Sequence, residues 1–172
     1  MRTAVGTLLV AFAVVVLHAD QSSLGTPPDP EGFALWKSDR VNDTADRLGR
    51  TIGTNPMVFE TIGNYDGHSI YLVLRGATGN AELHETEADL FVARRGRATL
   101  VIGGELLGAE TLPRRQRRGS GIKGGGRHVL MPGDIVHIPV GVAHQLLVEP
   151  GDRFMYELVK FDEEPLSTPR AR

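Results

Sequence analysis

The sequence predicts an all-β protein, a barrel or a two-sheet sandwich, with one helical segment before the first strand. From Pro56 onward, apolar and polar residues alternate in short runs, and this period of two is typical of half-buried strands. About ten such runs follow one another at even spacing, which is the pattern of a sandwich or barrel. The chain also has 21 glycines, a residue that suits the tight turns between short strands.

One region, Glu31–Arg50, has the periodicity of a helix. The apolar residues that recur at helical spacing are Val41, Ala45 and Leu48. Ser38 is placed to cap the start of this helix, and Gly49 or Gly53 to end it. Trp36, the single tryptophan, is expected to pack on the outside of the barrel or on a partner subunit, because a lone aromatic residue is normally an anchor.

The predicted strands are separated by turns that contain glycine or proline. An Asp-Gly pair joins Met57–Ile62 to Ser69–Arg75 in a hairpin. The strand that ends at Gly96 is expected to pair with Arg97–Ile102, and Glu105–Leu112 to form a further short pair. The remaining strands are predicted at Arg127–Met131, Asp134–Ile138, Ala143–Val148 and Arg153–Phe161.

The stretch from Gly76 to Gly96 carries the first group of candidate site residues. Glu82 and His84 stand two apart in a predicted strand, where alternate side chains share a face, so both point the same way. Asp89 is expected at the start of the next strand, from which it can turn back toward the same pocket. Two carboxylates and an imidazole at one spot are a mixed oxygen and nitrogen ligand set for a metal ion.

A second stretch, Gly133–His144, offers a fourth ligand from a distant part of the chain. Pro139 ends a strand, because proline cannot donate a hydrogen bond to the sheet, and after a turn His144 opens the next strand. Two neutral imidazoles and two carboxylates balance the charge of a divalent cation. Such a set suits Mn²⁺, Fe²⁺ or Zn²⁺ better than Cu⁺, and it leaves coordination positions open for substrate or water.

Both stretches resemble the conserved motifs of the cupin superfamily. The residues in register with those motifs are Gly76, Glu82, His84, Asp89 and Gly96 in the first, and Gly133, Pro139, Gly141 and His144 in the second. Three positions depart from the motifs: Glu82 replaces a histidine, Asp89 a glutamate and Val148 an asparagine. The spacing match spans residues 57–161 and implies a small single-domain barrel or jelly roll with a pocket inside. Because cupins often pair, the resemblance also implies a homodimer.

The replacement of the first motif histidine leaves two interpretations open. Either the four residues bind a metal ion, or the chain resembles a cupin without a metal, in which the same groups hydrogen-bond a ligand directly.

The N-terminus is predicted to be a secretory signal peptide, residues 1–19. A short positive end precedes the apolar run Ala4–Leu17, which as a helix would span about 21 Å, short of a bilayer core of about 30 Å. Cleavage after Ala19 gives a secreted or periplasmic protein without stable membrane insertion, and an uncleaved anchor is the alternative. The segments that follow are predicted as a linker at 20–30, a helical segment at 31–55, the barrel at 56–161 and a flexible tail at 162–172.

Composition excludes several partners and chemistries. The formal net charge of −2 gives no reason to expect nucleic acid or an anionic membrane as a partner. The chain has no cysteine, so disulfides and thiolate ligands are excluded. It also lacks a serine nucleophile elbow and a dinucleotide-binding fingerprint. Any catalysis must therefore be metal-assisted or acid–base chemistry.

Several other polar residues are interpreted as surface residues rather than as site residues. Glu85 and Glu87 are interpreted as solvated, with a general base or an alternative ligand as the other interpretation. Strand alternation turns His137 outward, and two further histidines, His68 and His128, are expected at the surface or at strand ends. The segment Pro113–Gly126 is interpreted as a solvated loop, or as a mobile flap over residues 113–127 that meets an anionic substrate. Its basic residues are Arg114, Arg115, Arg117, Arg118 and Lys123.

The sequence thus predicts a metal-binding protein that acts on or binds a small organic molecule, of the dioxygenase, isomerase or lyase type. A non-catalytic binding module with the same pocket is the alternative, and a scaffold whose barrel is packed shut is a third class. The sequence singles out neither a catalytic residue nor an organic cofactor.

Overall fold

The structure, a computed structural model, describes residues 28–163. The predicted signal peptide at 1–19 and residues 164–172 of the predicted tail lie outside this range. Residues 28–35 belong to a separate unit. These eight residues contain no helix or strand, and the Phe33 amide donates a hydrogen bond to the Pro30 carbonyl oxygen at 3.1 Å. Within residues 28–163, no helix has the length and apolar character needed to cross a membrane.

Residues 36–163, the described part of the unit that begins at Trp36, contain one α-helix and thirteen strands, so the class is all-β as predicted. The helix is α1 (Ser38–Thr51). The strands are β1 (Met57–Tyr65), β2 (His68–Arg75), β3 (Ala81–His84), β4 (Glu87–Gly96), β5 (Ala98–Ile102), β6 (Glu105–Leu107), β7 (Glu110–Leu112), β8 (Gln116–Gly119), β9 (Gly121–Lys123), β10 (Gly126–Leu130), β11 (Ile135–Ile138), β12 (His144–Leu147) and β13 (Phe154–Asp162). A 3₁₀ turn, Pro113–Arg115, precedes β8.

The strands form two large antiparallel sheets. One sheet has the order β1-β2-β13-β4-β11, the other has the order β10-β5-β12-β3-β8-β7, and β6 pairs with β9 separately. The main core lies between the large sheets, because its buried side chains come from both. They include Val73, Phe91 and Tyr156 from the first sheet and Leu100, Leu130 and Leu146 from the second. This arrangement is a jelly roll whose interior is lined by alternate residues of each strand.

Helix α1 covers the outer face of the five-stranded sheet. Ala45 and Leu48 pack with Leu72 and Leu74, which alternate in β2 with the inward-facing Val73. The helical spacing was predicted correctly, but the helix begins later than Glu31. The predicted cap is also wrong, because Ser38 is the first helical residue and the extended Lys37 precedes it.

The predicted hairpin between the strand ending at Gly96 and Arg97–Ile102 is wrong, because β4 and β5 lie in different sheets. Strand β5 pairs with β10 and β12. The chain crosses between sheets at Gly96, which has φ +74°, and an added Cβ would lie 1.8 Å from the Arg153 carbonyl oxygen. Only glycine fits this corner without displacing the backbone of β13 or its neighbour.

The segment from Glu105 to Gly126 also differs from its prediction. Glu105–Leu112 does not pair with itself, because β6 pairs with β9 and β7 pairs with β8. The interpretation of Pro113–Gly126 as a loop or flap is wrong, since β8 is bonded to β3 through four residue pairs. The predicted tail also begins too early, because Asp162 is the last residue of β13.

Candidate metal centre

The four predicted site residues come from both sheets and meet at one end of the interior. His144 on β12 lies opposite Glu82 on β3, and His84 is the last residue of β3. Asp89, the third residue of β4 and only 1% exposed, reaches them from the facing sheet. Strand alternation and the turn before His144 therefore bring together residues that are distant in the sequence.

The donor atoms of these residues lie close together. The Nε2 atoms of His84 and His144 lie 3.3 and 3.5 Å from Asp89 Oδ2. The same two nitrogens lie 3.5 and 3.9 Å from Glu82 Oε2. With metal–ligand distances of about 2.1 Å, neighbouring ligand atoms would be about 3.0–3.5 Å apart. The donor atoms that all lie within 4.8 Å of one another belong to Glu82, His84 and His144, and Asp89 Oδ2 approaches the two imidazole nitrogens of this group.

Both imidazoles are oriented by carbonyl oxygens, which can only accept hydrogen bonds. His144 Nδ1 donates to the Val142 carbonyl oxygen at 3.1 Å. His84 Nδ1 bonds Gln116 Oε1, and the amide of Gln116 is oriented because its Nε2 donates to Glu87 Oε2 at 3.2 Å. In the neutral imidazoles, both Nε2 lone pairs therefore face the shared site, as in metal sites with oriented histidines.

His144 Nε2 is a buried atom with no hydrogen-bond partner among residues 28–163. Buried polar atoms are nearly always satisfied, so this nitrogen indicates a missing partner. Together with Glu82 and His84 it belongs to a group of donor atoms that all lie within 4.8 Å of one another. The side chains present fit a divalent ion.

Lys160 is a site residue that the sequence analysis missed. Its ammonium donates to Asp89 Oδ1 at 2.7 Å and lies 3.1 Å from His84 Nε2 and 3.5 Å from Glu87 Oε2. Lys160 faces inward because it lies four residues after the inward-facing Tyr156 in β13, and it lies directly opposite Asp89 in the pairing with β4. A lysine in register with inward apolar residues was the available signal.

Two arginines contact the other oxygen of Glu82. Arg118 Nε lies 3.4 Å and Arg75 Nη2 4.0 Å from Glu82 Oε1. Arg75 also donates from Nε to the hydroxyl oxygen of the fully buried Tyr156 at 3.2 Å. The prediction that the arginine run is solvated is therefore wrong for Arg118, which is 29% exposed.

These contacts change the pKa values of the site. Burial opposes the charge of Glu82, but hydrogen bonding to His84 and the charges of Arg118, His144 and Arg75 outweigh it and lower its pKa to about 2. Burial likewise opposes ionisation of Asp89, yet His144, His84 and Lys160 hold the pKa of Asp89 well below its usual range.

For His84, burial and the Lys160 charge oppose protonation. Hydrogen bonds to Asp89 and Glu82 outweigh both and raise the pKa of His84 to about 9. A metal ion that binds at neutral pH must therefore displace a proton from His84.

The site opens into a cavity of about 270 Å³ between the sheets. Its charged end is lined by Glu82, Asp89, His144, Arg75, Arg118 and Lys160. The rest of the wall is mainly apolar and includes Met57, Phe59, Tyr71, Phe91 and Leu158. The interior is not packed shut, so the scaffold interpretation is wrong.

The prediction that other polar residues lie at the surface is confirmed for some of them and wrong for one. His137 and His128 are exposed as expected, and Glu85 is exposed as well. His68, at the start of β2, stacks on Tyr65 with ring centroids 4.8 Å apart. The interpretation of Glu87 as solvated is wrong, because its side chain is only 12% exposed and contacts Lys160.

No protein-family model and no curated protein matches the sequence. Among solved structures, the chain is similar to TT1209 from Thermus thermophilus, with 17% identity, 69% of this chain and 93% of that chain covered, and a TM-score of 0.50. It is also similar to the Schizosaccharomyces pombe Cnp3 cupin domain, with 6% identity, coverage of 63% and 66%, and a TM-score of 0.48. KdgF from Halomonas sp. has 16% identity, coverage of 68% and 83%, and a TM-score of 0.45.

At such identities a likeness shows the fold alone. The protein has a cupin fold, as the sequence resemblance implied. The side chains that line the cavity, rather than the fold, determine which molecule it takes.

Proposed function

We propose that this protein binds one divalent ion, Mn²⁺, Fe²⁺ or Zn²⁺, through Glu82, His84, Asp89 and His144, and that its cavity binds or transforms a small organic molecule. The observation that carries the proposal is the orientation of both imidazoles. Their Nδ1 atoms bond carbonyl oxygens, so that two buried Nε2 atoms face two carboxylates.

A divalent ion at this position would supply a Lewis acid or an O₂-binding centre, consistent with the dioxygenase, isomerase or lyase type. The chain itself supplies the orientation, because the apolar walls restrict where an organic molecule lies relative to the charged end. Lys160 and Arg118 would contact polar groups of that molecule near the ion.

A non-catalytic binding module with the same cavity is the second candidate. It is supported by the ion pairs that Asp89 makes with Lys160 and Glu82 makes with Arg118, which neutralise both carboxylates without a metal. In that case the ligand would bond these side chains directly.

Metal analysis separates the metal-binding protein from a binding module whose side chains bond the ligand without a metal. Chelator-stripped protein dialysed in turn against Mn²⁺, Fe²⁺ and Zn²⁺ is expected to retain about one ion per chain, because three clustered donors and the nearby Asp89 form a single site. His144→Ala is expected to lose this ion, whereas the matched control His137→Ala, at an exposed position of β11, is expected to keep it. Equal metal content in both folded variants would contradict the proposed ligands.

The compartment and assembly are part of the same proposal. We propose that the chain is exported, cleaved after Ala19 and functions as a secreted or periplasmic homodimer. Mass spectrometry of the mature N-terminus and sedimentation of the purified protein test these statements. A chain that retains residues 1–19, or that sediments as a monomer, contradicts the corresponding statement.

A further inference from the structure

We infer that the cavity takes a small organic monocarboxylate with a compact apolar body, bound with its carboxylate at the charged end. The inference rests on the proposed metal site, and its starting observation is the charge balance there. The cations Arg75, Arg118 and Lys160 contact the carboxylates Glu82, Asp89 and Glu87. These three positive and three negative groups balance when His84 is neutral, as it must be with a metal ion bound, and Arg114, which also contacts Glu87, is itself paired with Asp162.

The two metal-ligand carboxylates compensate the charge of the ion only in part, because each also lies beside a cationic side chain. Glu82 lies 3.4 Å from Arg118, and Asp89 accepts a hydrogen bond from Lys160 at 2.7 Å. A divalent ion among neutral imidazoles would leave about two positive charges in excess in a largely buried site. An anionic ligand beside the ion removes part of this excess, whereas a neutral ligand does not.

The positions of the arginines favour a carboxylate. Arg118 and Arg75 both approach the same Glu82 oxygen, and both line the cavity. A guanidinium presents donors in a planar fork that matches two carboxylate oxygens. Arg75 is further fixed by the Tyr156 hydroxyl and by Gly79, where an added Cβ would lie 2.0 Å from Arg75 Nη1.

The remaining walls determine the body of the ligand. Phe59 and Tyr71 form an edge-to-face pair with ring centroids 5.9 Å apart, and Phe91 and Leu158 line the same cavity. Burying apolar area against these walls contributes about 25 cal/mol per Å². A volume of about 270 Å³ admits one small aromatic or aliphatic acid rather than a sugar chain or a peptide.

The experiment compares acids with their uncharged amides. Phenylacetate and hexanoate, and the amides phenylacetamide and hexanamide, are titrated by calorimetry into the full chain loaded with Zn²⁺, with the metal content measured in each sample. Each acid is expected to bind at least tenfold more tightly than its amide. Arg118→Gln is expected to reduce this preference to about threefold or less, Arg118→Lys to retain part of it, and the control Arg117→Gln, on the opposite face of β8, to leave it unchanged.

The outcomes distinguish this inference from the proposed function. If the loaded protein contains its metal but binds acids and amides equally, or binds no acid at millimolar concentrations, the monocarboxylate inference is wrong and the metal site stands. If Arg117→Gln weakens acid binding as much as Arg118→Gln, the inference is also wrong. If the wild-type protein retains no metal after dialysis, the proposed function fails, and the excess charge from which the ligand was inferred fails with it.

Discussion

Gln116 shows how a neutral side chain outside the ligand set can decide how an imidazole is oriented. Its amide lies between two site residues, accepting from His84 Nδ1 and donating to Glu87. Without that acceptor, His84 could carry its proton on either nitrogen, and the ring would lose its orientation. Residues of this kind have no motif, because their role depends on which strand becomes the neighbour of β3.

Gln116→Ala is therefore expected to lower Zn²⁺ affinity by about 10- to 100-fold, which is the usual effect of removing a group that orients a metal-bound histidine. Gln116→Glu keeps an acceptor for His84 Nδ1 but loses the donor to Glu87, so it is expected to retain only part of the affinity. Competition against a fluorescent zinc chelator measures both variants. Equal affinity in Gln116→Ala and the wild type would show that the amide does not orient the ring.

His84 gives the metal-free protein a specific pH dependence. Its pKa is raised from 6.5 to about 9, so its contribution to stability is fully present below pH 6.5 and is lost as the pH rises through about 9. The contribution is on the order of 3 kcal/mol. Glu82 and Asp89 have lowered pKa values, so their contributions are present at neutral pH and are lost only in strong acid.

Urea unfolding in a chelator between pH 6 and pH 9.5 measures this dependence. The free energy of unfolding of the wild type is expected to fall across the window, whereas that of His84→Gln is expected to stay nearly level. His137→Gln, which alters an exposed histidine, should keep the wild-type slope. If the free energy of unfolding of His84→Gln depends on pH as steeply as that of the wild type, another group causes the dependence.

At the scale of elements, β3 and β12 show what could be predicted from the sequence. Their side chains follow from strand alternation and from the turn at Gly141, which has φ +73°, so Glu82, His84 and His144 were predicted from local rules. Strands β8 and β13 show the limit. Arg118 and Lys160 reach the site because β8 pairs with β3 and β13 pairs with β4, and no local pattern specifies those pairings.

The predicted hairpin at Gly96 failed for the same reason. A glycine after a strand indicates a turn, but it does not tell whether the chain returns in the same sheet or crosses to the other. In the structure the chain crosses to the other sheet, and the Arg153 carbonyl oxygen lies close to Gly96 at the crossing. Whether the chain forms a hairpin or crosses between the sheets at Gly96 therefore depends on a tertiary contact and not on local propensity.

Gly96→Ala tests the importance of this corner. The added Cβ meets backbone at 1.8 Å in a left-handed conformation, so we expect a loss of about 2 kcal/mol or more in the free energy of unfolding. Gly49→Ala is the matched control, because this helical glycine has open space around the new methyl group. The control is expected to gain about 0.5–1 kcal/mol from helix propensity. Equal stability of the two variants in urea unfolding would contradict the role assigned to the corner.

At the scale of the whole molecule, the site joins the two sheets. Glu82, His84 and His144 belong to the six-stranded sheet, and Asp89 and Lys160 belong to the five-stranded sheet. The core between the sheets also contains apolar side chains that do not line the cavity, such as Leu100 and Leu130. We therefore expect the metal-free chain to fold, and a bound ion to add stability by linking sheets that are already packed.

The size of that added stability follows from the affinity. A ligand that binds only the folded state at a free concentration about 100 times its Kd stabilises it by about 2.7 kcal/mol. For a chain of this size this corresponds to a rise in Tm of about 5–10 °C. Scanning calorimetry with and without Zn²⁺ is expected to show this rise for the wild type and for His137→Ala, and to show none for His144→Ala. An ion that raises the Tm of His144→Ala equally must bind elsewhere, because this substitution removes the buried nitrogen that, within residues 28–163, has no hydrogen-bond partner at the junction of the sheets.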